Sequence, residues 1–190
     1  MKTKTKVTIL ISLVILLAFI LCLVYDTQIS NFFLMLRTET GISMDFVEKD
    51  FIIYPTILIV QLLFILIQSN GFKKGKKEML YFLMSVVITF LITTLLRAII
   101  PRERPLPSQH KLGKDFLDNN SFPSGHTAFT FTLFAFIKNK VLVTIWWAFS
   151  IFIIISRLWN GMHYPSDVIA GAVIGYLIPL TFLKIMKNIK

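Results

Sequence analysis

The sequence predicts an all-α integral membrane protein, a six-transmembrane-helix bundle, and three observations carry that prediction. Of its 190 residues, 55% are hydrophobic and only 16% are charged, whereas soluble domains carry roughly 25% charge. Six stretches approach the length of about 20 apolar residues that a spanning helix needs. The segments between them alternate in charge, as segments on opposite sides of a bilayer do.

The six stretches are Val7 to Tyr25, Phe51 to Gln68, Met79 to Ile100, Phe122 to Ile137, Val141 to Leu158 and Tyr164 to Ile185. The fourth is the shortest. Lys2, Lys4 and Lys6 ahead of Val7 resemble the start of a signal peptide, but the apolar stretch is too long and no small-residue cleavage site follows. It reads as a retained first helix. Between the first two stretches, Asp26 to Asp50 mixes Phe32, Phe33, Leu34 and Leu36 with Arg37, Glu39, Asp45 and Glu48. That mixture suits either an amphipathic helix lying along the interface or a plain extramembrane loop. No repeat, low-complexity tract or linker divides the chain, so residues 1–190 read as a single domain with a motif-bearing core over residues 79–185.

The lone cysteine, Cys22, sits inside an apolar run, which excludes an intramolecular disulfide and a cysteine-rich metal site. Net charge is +10. The basic residues fall between apolar runs instead of forming a continuous patch, so nucleic acid is not an expected partner and the charge orients the chain in the membrane. One side holds twelve lysines (2, 4, 6, 73, 74, 76, 77, 138, 140, 184, 187 and 190) against Glu78 alone. The other holds all five arginines, Lys49, Lys111, Lys114, nine acids and all three histidines. Cytoplasmic segments carry the excess of Lys and Arg. Both termini are therefore expected in the cytoplasm and the histidine-bearing face outside it.

Three clusters on that face carry chemistry. Arg97, Arg102 and Arg104 close the third stretch, where each alone suits a last-turn charge or a snorkelling anchor, but together they offer planar forks for phosphate oxygens. Pro105 would stop the helix, and Pro101, Pro105 and Pro107 open a polar excursion that runs to Ser121. Pro123, Ser124, Gly125 and His126 open the fourth stretch. They read as an ordinary helix start, or as a place where amide groups, a hydroxyl and a close backbone approach receive an oxyanion. Ser156, Arg157, His163 and Asp167 form the third cluster. His163 and Asp167 are four apart, which places them on one face if the sixth helix begins early, so that the carboxylate fixes the imidazole tautomer. Pro165 complicates that helix. Otherwise Asp167 is a favourable N-terminal charge and His163 an interfacial side chain.

Alternating spans bring all three clusters to one membrane face. Two histidines without an accompanying carboxylate-rich or cysteine set do not resemble a zinc or magnesium centre, so no metal and no cofactor are expected. Arginines, two histidines and an aspartate fit phosphoryl transfer, in which the protein positions the group and neutralises its oxygens.

In order and spacing these residues resemble the type 2 phosphatidic acid phosphatase superfamily, whose pattern is Lys-x6-Arg-Pro, then Pro-Ser-Gly-His, then Ser-Arg-x5-His-x3-Asp. The sequence has Arg97-x6-Arg104-Pro105, Pro123-Ser124-Gly125-His126 and Ser156-Arg157-x5-His163-x3-Asp167. Arg97 stands where that family usually has lysine. The resemblance implies a metal-independent membrane phosphatase in which His163 attacks phosphorus, Asp167 orients its ring and His126 protonates the departing oxygen. It further implies that Arg97, Arg104, Ser124, Gly125 and Arg157 hold the phosphate.

A transporter of lipid or anion would also use intramembrane arginines and broken helices, but the sequence has no half-to-half repeat and its charges gather at one face. The haloperoxidases of the superfamily resemble soluble proteins. The expected partners are membrane lipids and a lipid phosphate substrate: undecaprenyl pyrophosphate, phosphatidylglycerophosphate or phosphatidic acid. The sequence does not distinguish among these, nor does it set an oligomeric state.

Overall fold

The computed structural model describes residues 3–44, 50–69, 71–106 and 120–188. Its elements are α1 (Thr3–Thr40), α2 (Asp50–Gln68), α3 (Phe72–Ile99), α4 (Gly125–Phe131) continuing into a 3-10 turn (Thr132–Ala135), α5 (Lys140–Trp159) and α6 (Pro165–Asn188). Among the described residues, four helices are long and apolar enough to cross a membrane, namely α1, α3, α5 and α6, and α2 is apolar but shorter. Their outward side chains, Leu13, Ile59, Val87, Phe90, Ile151 and Leu177 among them, are exposed and apolar, as a surface solvated by lipid must be. The chain is a multi-pass membrane protein.

The first helix differs from expectation. It does not stop near Tyr25 but runs unbroken to Thr40, because no proline or glycine interrupts it before Gly41, which takes a left-handed φ of 65°. Residues 26–40 therefore extend the first helix instead of forming a separate interfacial helix or loop. The part of that segment over residues 45–49 lies outside the described residues, as does the polar excursion over residues 107–119.

The fourth stretch also departs from a plain span. Its α-helix lasts seven residues, all buried, before tightening into the 3-10 turn. A helix that breaks inside a membrane needs partners for its freed carbonyls, and distant side chains supply them. Gln61 Nε2 donates to the Phe129 and Thr130 carbonyls at 3.0 and 3.3 Å. Trp146 Nε1 donates to Thr130 at 3.0 Å, and the Thr132 hydroxyl donates to Phe129 at 2.6 Å. Below the break, Gln68 donates to the Phe136 carbonyl at 2.9 Å and accepts from the Lys138 amide at 3.0 Å. Asn139 then caps α5 by accepting from Val141 and Leu142.

This short helix is the axis of the bundle, with α3, α5 and α6 packed around it. On α6, Gly171 and Gly175 face it across a gap with no room for a side chain: a Cβ at Gly171 would lie 2.5 Å from the Ser124 carbonyl oxygen, and one at Gly175 would meet the Ala128 carbonyl. Two glycines one turn apart thus let α6 press backbone to backbone on α4. Ile57, Ile65, Phe82, Leu133, Trp146 and Ile153 fill the core on its other sides.

Candidate active site

The ends of α3, α5 and the starts of α4 and α6 meet at one end of the bundle, and local chemistry explains how. Pro101 follows the last residues of α3 and cannot continue it. The chain then returns alongside itself: Asn120 Nδ2 donates to the Arg97 carbonyl at 2.8 Å, and the Ser121 amide donates to the Arg102 carbonyl at 2.7 Å. Past α5, Gly161 turns with φ 63°, and its carbonyl accepts from the Leu106 amide at 2.9 Å. That bond pins the segment carrying Arg104 beside Met162, whose Sδ lies 3.4 Å from Arg104 Nη1.

His163 and Asp167 do not share a helical face, since α6 begins only at Pro165, where a proline suits the first helical position. Asp167 instead folds back over the helix start. Its Oδ2 accepts from the Tyr164 amide at 2.8 Å, in the manner of a capping box. His163 Nδ1 lies 2.7 Å from the Ser121 carbonyl oxygen but 3.9 Å from Asp167 Oδ2. A carbonyl only accepts, so Nδ1 carries the proton and Nε2 the lone pair. The tautomer is set by the backbone of Ser121, and Asp167 supplies charge. Burial first, then the positive charges of Arg104, Arg97 and Arg157, hold the His163 pKa well below the usual value of 6.5.

His126 is 5% exposed and lies flat against Tyr54, with ring centroids 4.3 Å apart and an interplanar angle of 24°. Its Nδ1 makes long contacts of 3.4 Å with both the Tyr54 hydroxyl and Arg157 Nη1. A guanidinium only donates, so in this contact Nδ1 accepts and the ring proton resides on Nε2. The two histidines are held in opposite tautomers.

The arginines divide their work. Arg97 Nη2 reaches the Pro123 carbonyl at 3.4 Å, and its buried Nε has no hydrogen-bond partner among the described residues. Gly125 makes this approach possible, because a Cβ there would sit 3.0 Å from Arg97 Nη2 and 2.9 Å from the Tyr54 hydroxyl. A pocket of about 30 Å³ borders the same residues, lined by Tyr54, Thr89, Thr93, Arg97, Gly125 and Phe129 among others. Arg157 is 1% exposed. Arg102, read from sequence as one of three phosphate forks, is committed elsewhere: it bridges Asp26 and Asp167 at 2.6 Å each. Ser124 gives its amide to the Asp167 carbonyl at 3.1 Å, and its hydroxyl lies 3.0 Å from that of Thr127. The hydroxyl is therefore the Ser124 donor that the backbone leaves free for another acceptor. No group of three or more His, Cys, Asp or Glu side chains able to hold a metal occurs among the described residues.

Sequence reasoning missed Tyr54, Asp26 and the Ser121 carbonyl. Asp26 had a signal available, since a carboxylate at the end of an apolar run is costly without a partner. Tyr54 and a backbone oxygen had none.

Known proteins resemble this chain in sequence and fold. The chain is 32% identical over 112 residues to the bacitracin transport permease protein BcrC of Bacillus licheniformis, covering 56% of this chain and 55% of that relative. It is 28% identical over 141 residues to the undecaprenyl-diphosphatase BcrC of Bacillus subtilis, covering 70% and 71%. The chain thus spans about half the length of the first of these relatives. The crystal structure of Aquifex aeolicus LpxE shares the fold, with a TM-score of 0.50 at 23% identity over 69% of this chain and 83% of that one. A family model described as the PAP2 superfamily matches residues 78–190, the span that holds Arg97, Arg104, His126, Arg157, His163 and Asp167; the chain belongs to the PAP2 superfamily.

Proposed function

We propose that the protein is a lipid phosphate phosphatase working through a phosphohistidine intermediate, with residues 1–190 as one catalytic membrane domain and residues 79–185 as its motif-bearing core. The observation that supports this most directly is the pair of opposed tautomers. His163 presents a lone pair on Nε2 while its pKa is held low, so it is an available nucleophile at neutral pH. His126 presents a proton on Nε2 to a departing oxygen.

In the first step His163 Nε2 bonds to the terminal phosphorus in line as that phosphorus loses its bond to the leaving oxygen, the bridging oxygen of a pyrophosphate or the ester oxygen of a monophosphate, and His126 gives that oxygen its proton. In the second, water attacks the phosphohistidine, His126 takes its proton, and inorganic phosphate leaves. Arg97, Arg104 and Arg157, with the Ser124 hydroxyl, neutralise the phosphoryl oxygens, and the absence of a Cβ at Gly125 admits them closely. Asp167 offsets the cation that forms on His163. This distribution of charge requires no metal.

The substrate class we favour is undecaprenyl pyrophosphate, supported by the activity named for the Bacillus subtilis relative and by an outward site. Phosphatidylglycerophosphate and phosphatidic acid are the alternatives. The Bacillus licheniformis relative carries a transport name, but in this chain the described histidines and arginines gather at one end of the bundle, which favours chemistry there. The lysine asymmetry supports cytoplasmic termini and a site facing outside.

The test is phosphate release by the purified protein from these three lipids, beside His163→Ala. Wild type should turn over one of them and yield an acid-labile phosphohistidine on trapping, while folded His163→Ala should do neither. Near-normal turnover by that variant would refute the mechanism.

A further inference from the structure

Arg102 lies where three elements converge. Its Nη1 meets Asp167 Oδ1 at 2.6 Å and the Ser166 hydroxyl at 2.7 Å, and its Nη2 meets Asp26 Oδ2 at 2.6 Å. Its guanidinium stands 4.2 Å from the centre of the Tyr164 ring, a cation–π contact that fixes its plane. Asp26, on α1, is 3% exposed. It also accepts from the Ser166 amide at 2.9 Å and from the Ser166 hydroxyl. Asp26 thereby holds both the guanidinium and the first turn of α6, the turn that carries Asp167. It lies outside residues 78–190, so the family match says nothing of it.

We propose that Asp26 is a positioning residue of the catalytic centre: by sharing Arg102 with Asp167, it sets the place and the effective charge of the carboxylate that faces His163. The charge argument is direct. Two carboxylates divide one guanidinium, so the cluster retains a negative charge. Without the charge of Asp26, Arg102 would neutralise Asp167 alone, and His163 would face no net negative charge as it becomes a phosphoimidazolium. The other charges facing His163 are positive, from Arg97 in the last turn of α3, Arg104 and Arg157 on α5. Facing Asp26 are Arg102, Ser166 and, one turn earlier on its own helix, Cys22. The shared guanidinium is thus the path by which a residue of α1 acts on the nucleophile. The proposal rests on His163 being that nucleophile.

Steady-state kinetics on the lipid that wild type hydrolyses best, with thermal unfolding in detergent as the folding control, test it. Asp26→Asn keeps the shape and an acceptor for the Ser166 amide but removes the charge. It should lower kcat roughly 10- to 100-fold, as lost outer partners of an active group typically do, with KM nearly unchanged. The acid limb of kcat/KM should move to lower pH, because a negative charge near an imidazole favours its cation and its removal disfavours it. Asp26→Glu should recover most of kcat. If Asp26→Asn does not fold, Arg102→Lys poses the same question, since one ammonium cannot fork between two carboxylates; the same loss of kcat at constant KM is expected. Wild-type kcat and pH profile in a folded Asp26→Asn or Arg102→Lys would overturn the proposal while a dead His163→Ala leaves the phosphatase reading intact. A loss that follows thermal stability and raises KM in step would mark a merely structural role and overturn it too. Retained turnover in His163→Ala would remove both.

Discussion

The Nδ1–H of His163 donates to the carbonyl oxygen of Ser121 at 2.7 Å, a bond that holds the imidazole by the backbone and leaves Asp167, at 3.9 Å, as a charge beside it. Where a carboxylate alone fixes a catalytic histidine's tautomer, as in the serine protease triad, its amide variant loses about 10⁴ in kcat. Here the tautomer survives that substitution. Asp167→Asn should therefore lose less, about 100-fold, whereas His163→Ala loses all turnover. Comparison of kcat for the two purified variants checks this, and equal, complete loss in both would mean that Asp167 sets the tautomer after all.

The pH profile follows from the burial and arginine neighbours of His163. Its pKa in the folded protein lies well below 6.5, so the ring stays neutral as pH falls through 6.5 and is protonated only nearer its folded value. The acid limb of kcat/KM should be centred below 6.5. Stability has the same sign: the unfolded chain takes up this proton near 6.5 and the native state resists it, so stability falls as pH drops below that value. Measuring kcat/KM and thermal unfolding over the acid range tests both, and a limb centred at or above 6.5 would contradict the placement of His163.

Gly175→Ala should force α6 away from α4, because the added Cβ collides with the Ala128 carbonyl, a backbone atom that cannot rotate aside. Overpacking of this kind costs about 1–3 kcal/mol. Since α6 carries Asp167 and α4 carries His126, activity should fall along with the unfolding temperature in detergent. A Gly175→Ala protein with wild-type stability and rate would show that the two helices are less tightly apposed.

Orientation is testable by labelling. With Cys22 replaced, single cysteines at Thr40, exposed at the active-site end of α1, and at Lys74, exposed at the start of α3, report opposite faces. A membrane-impermeant thiol reagent applied to intact cells should modify position 40 and spare position 74. The reverse pattern would place the site on the cytoplasmic leaflet and disfavour an outward pool of pyrophosphate lipid.

Legibility in the sequence tracked the nature of each signal. Apolar runs and proline or glycine punctuation are local, so all six helices and the meeting of Arg97, Arg104, His126, Arg157, His163 and Asp167 could be read in advance. The length of α1 could not, because Asp26 at the end of an apolar run reads as a boundary until its distant partners Arg102 and Ser166 are known. The division of labour among the arginines was hidden for the same reason: Arg102 and Arg104 look alike in sequence, and only the fold shows that carboxylates occupy the first. The break in α4 depends on Gln61 and Trp146, which lie far from it in the chain. What holds His163 is a main-chain oxygen, which no side-chain pattern reports.

The brevity of α4 bears on biogenesis. A segment enters the bilayer unaided when it offers the translocon about 20 apolar residues, and Gly125–Phe131 with its threonine-bearing 3-10 continuation offers far fewer. Beyond its own threonines, its open carbonyls take donors from Gln61, synthesised before it, and from Trp146, synthesised after. The fourth segment is therefore a client of its neighbours. It takes its place once α2 and α5 are present to receive it, so a nascent chain arrested before α5 emerges leaves the histidine-bearing helix outside the lipid.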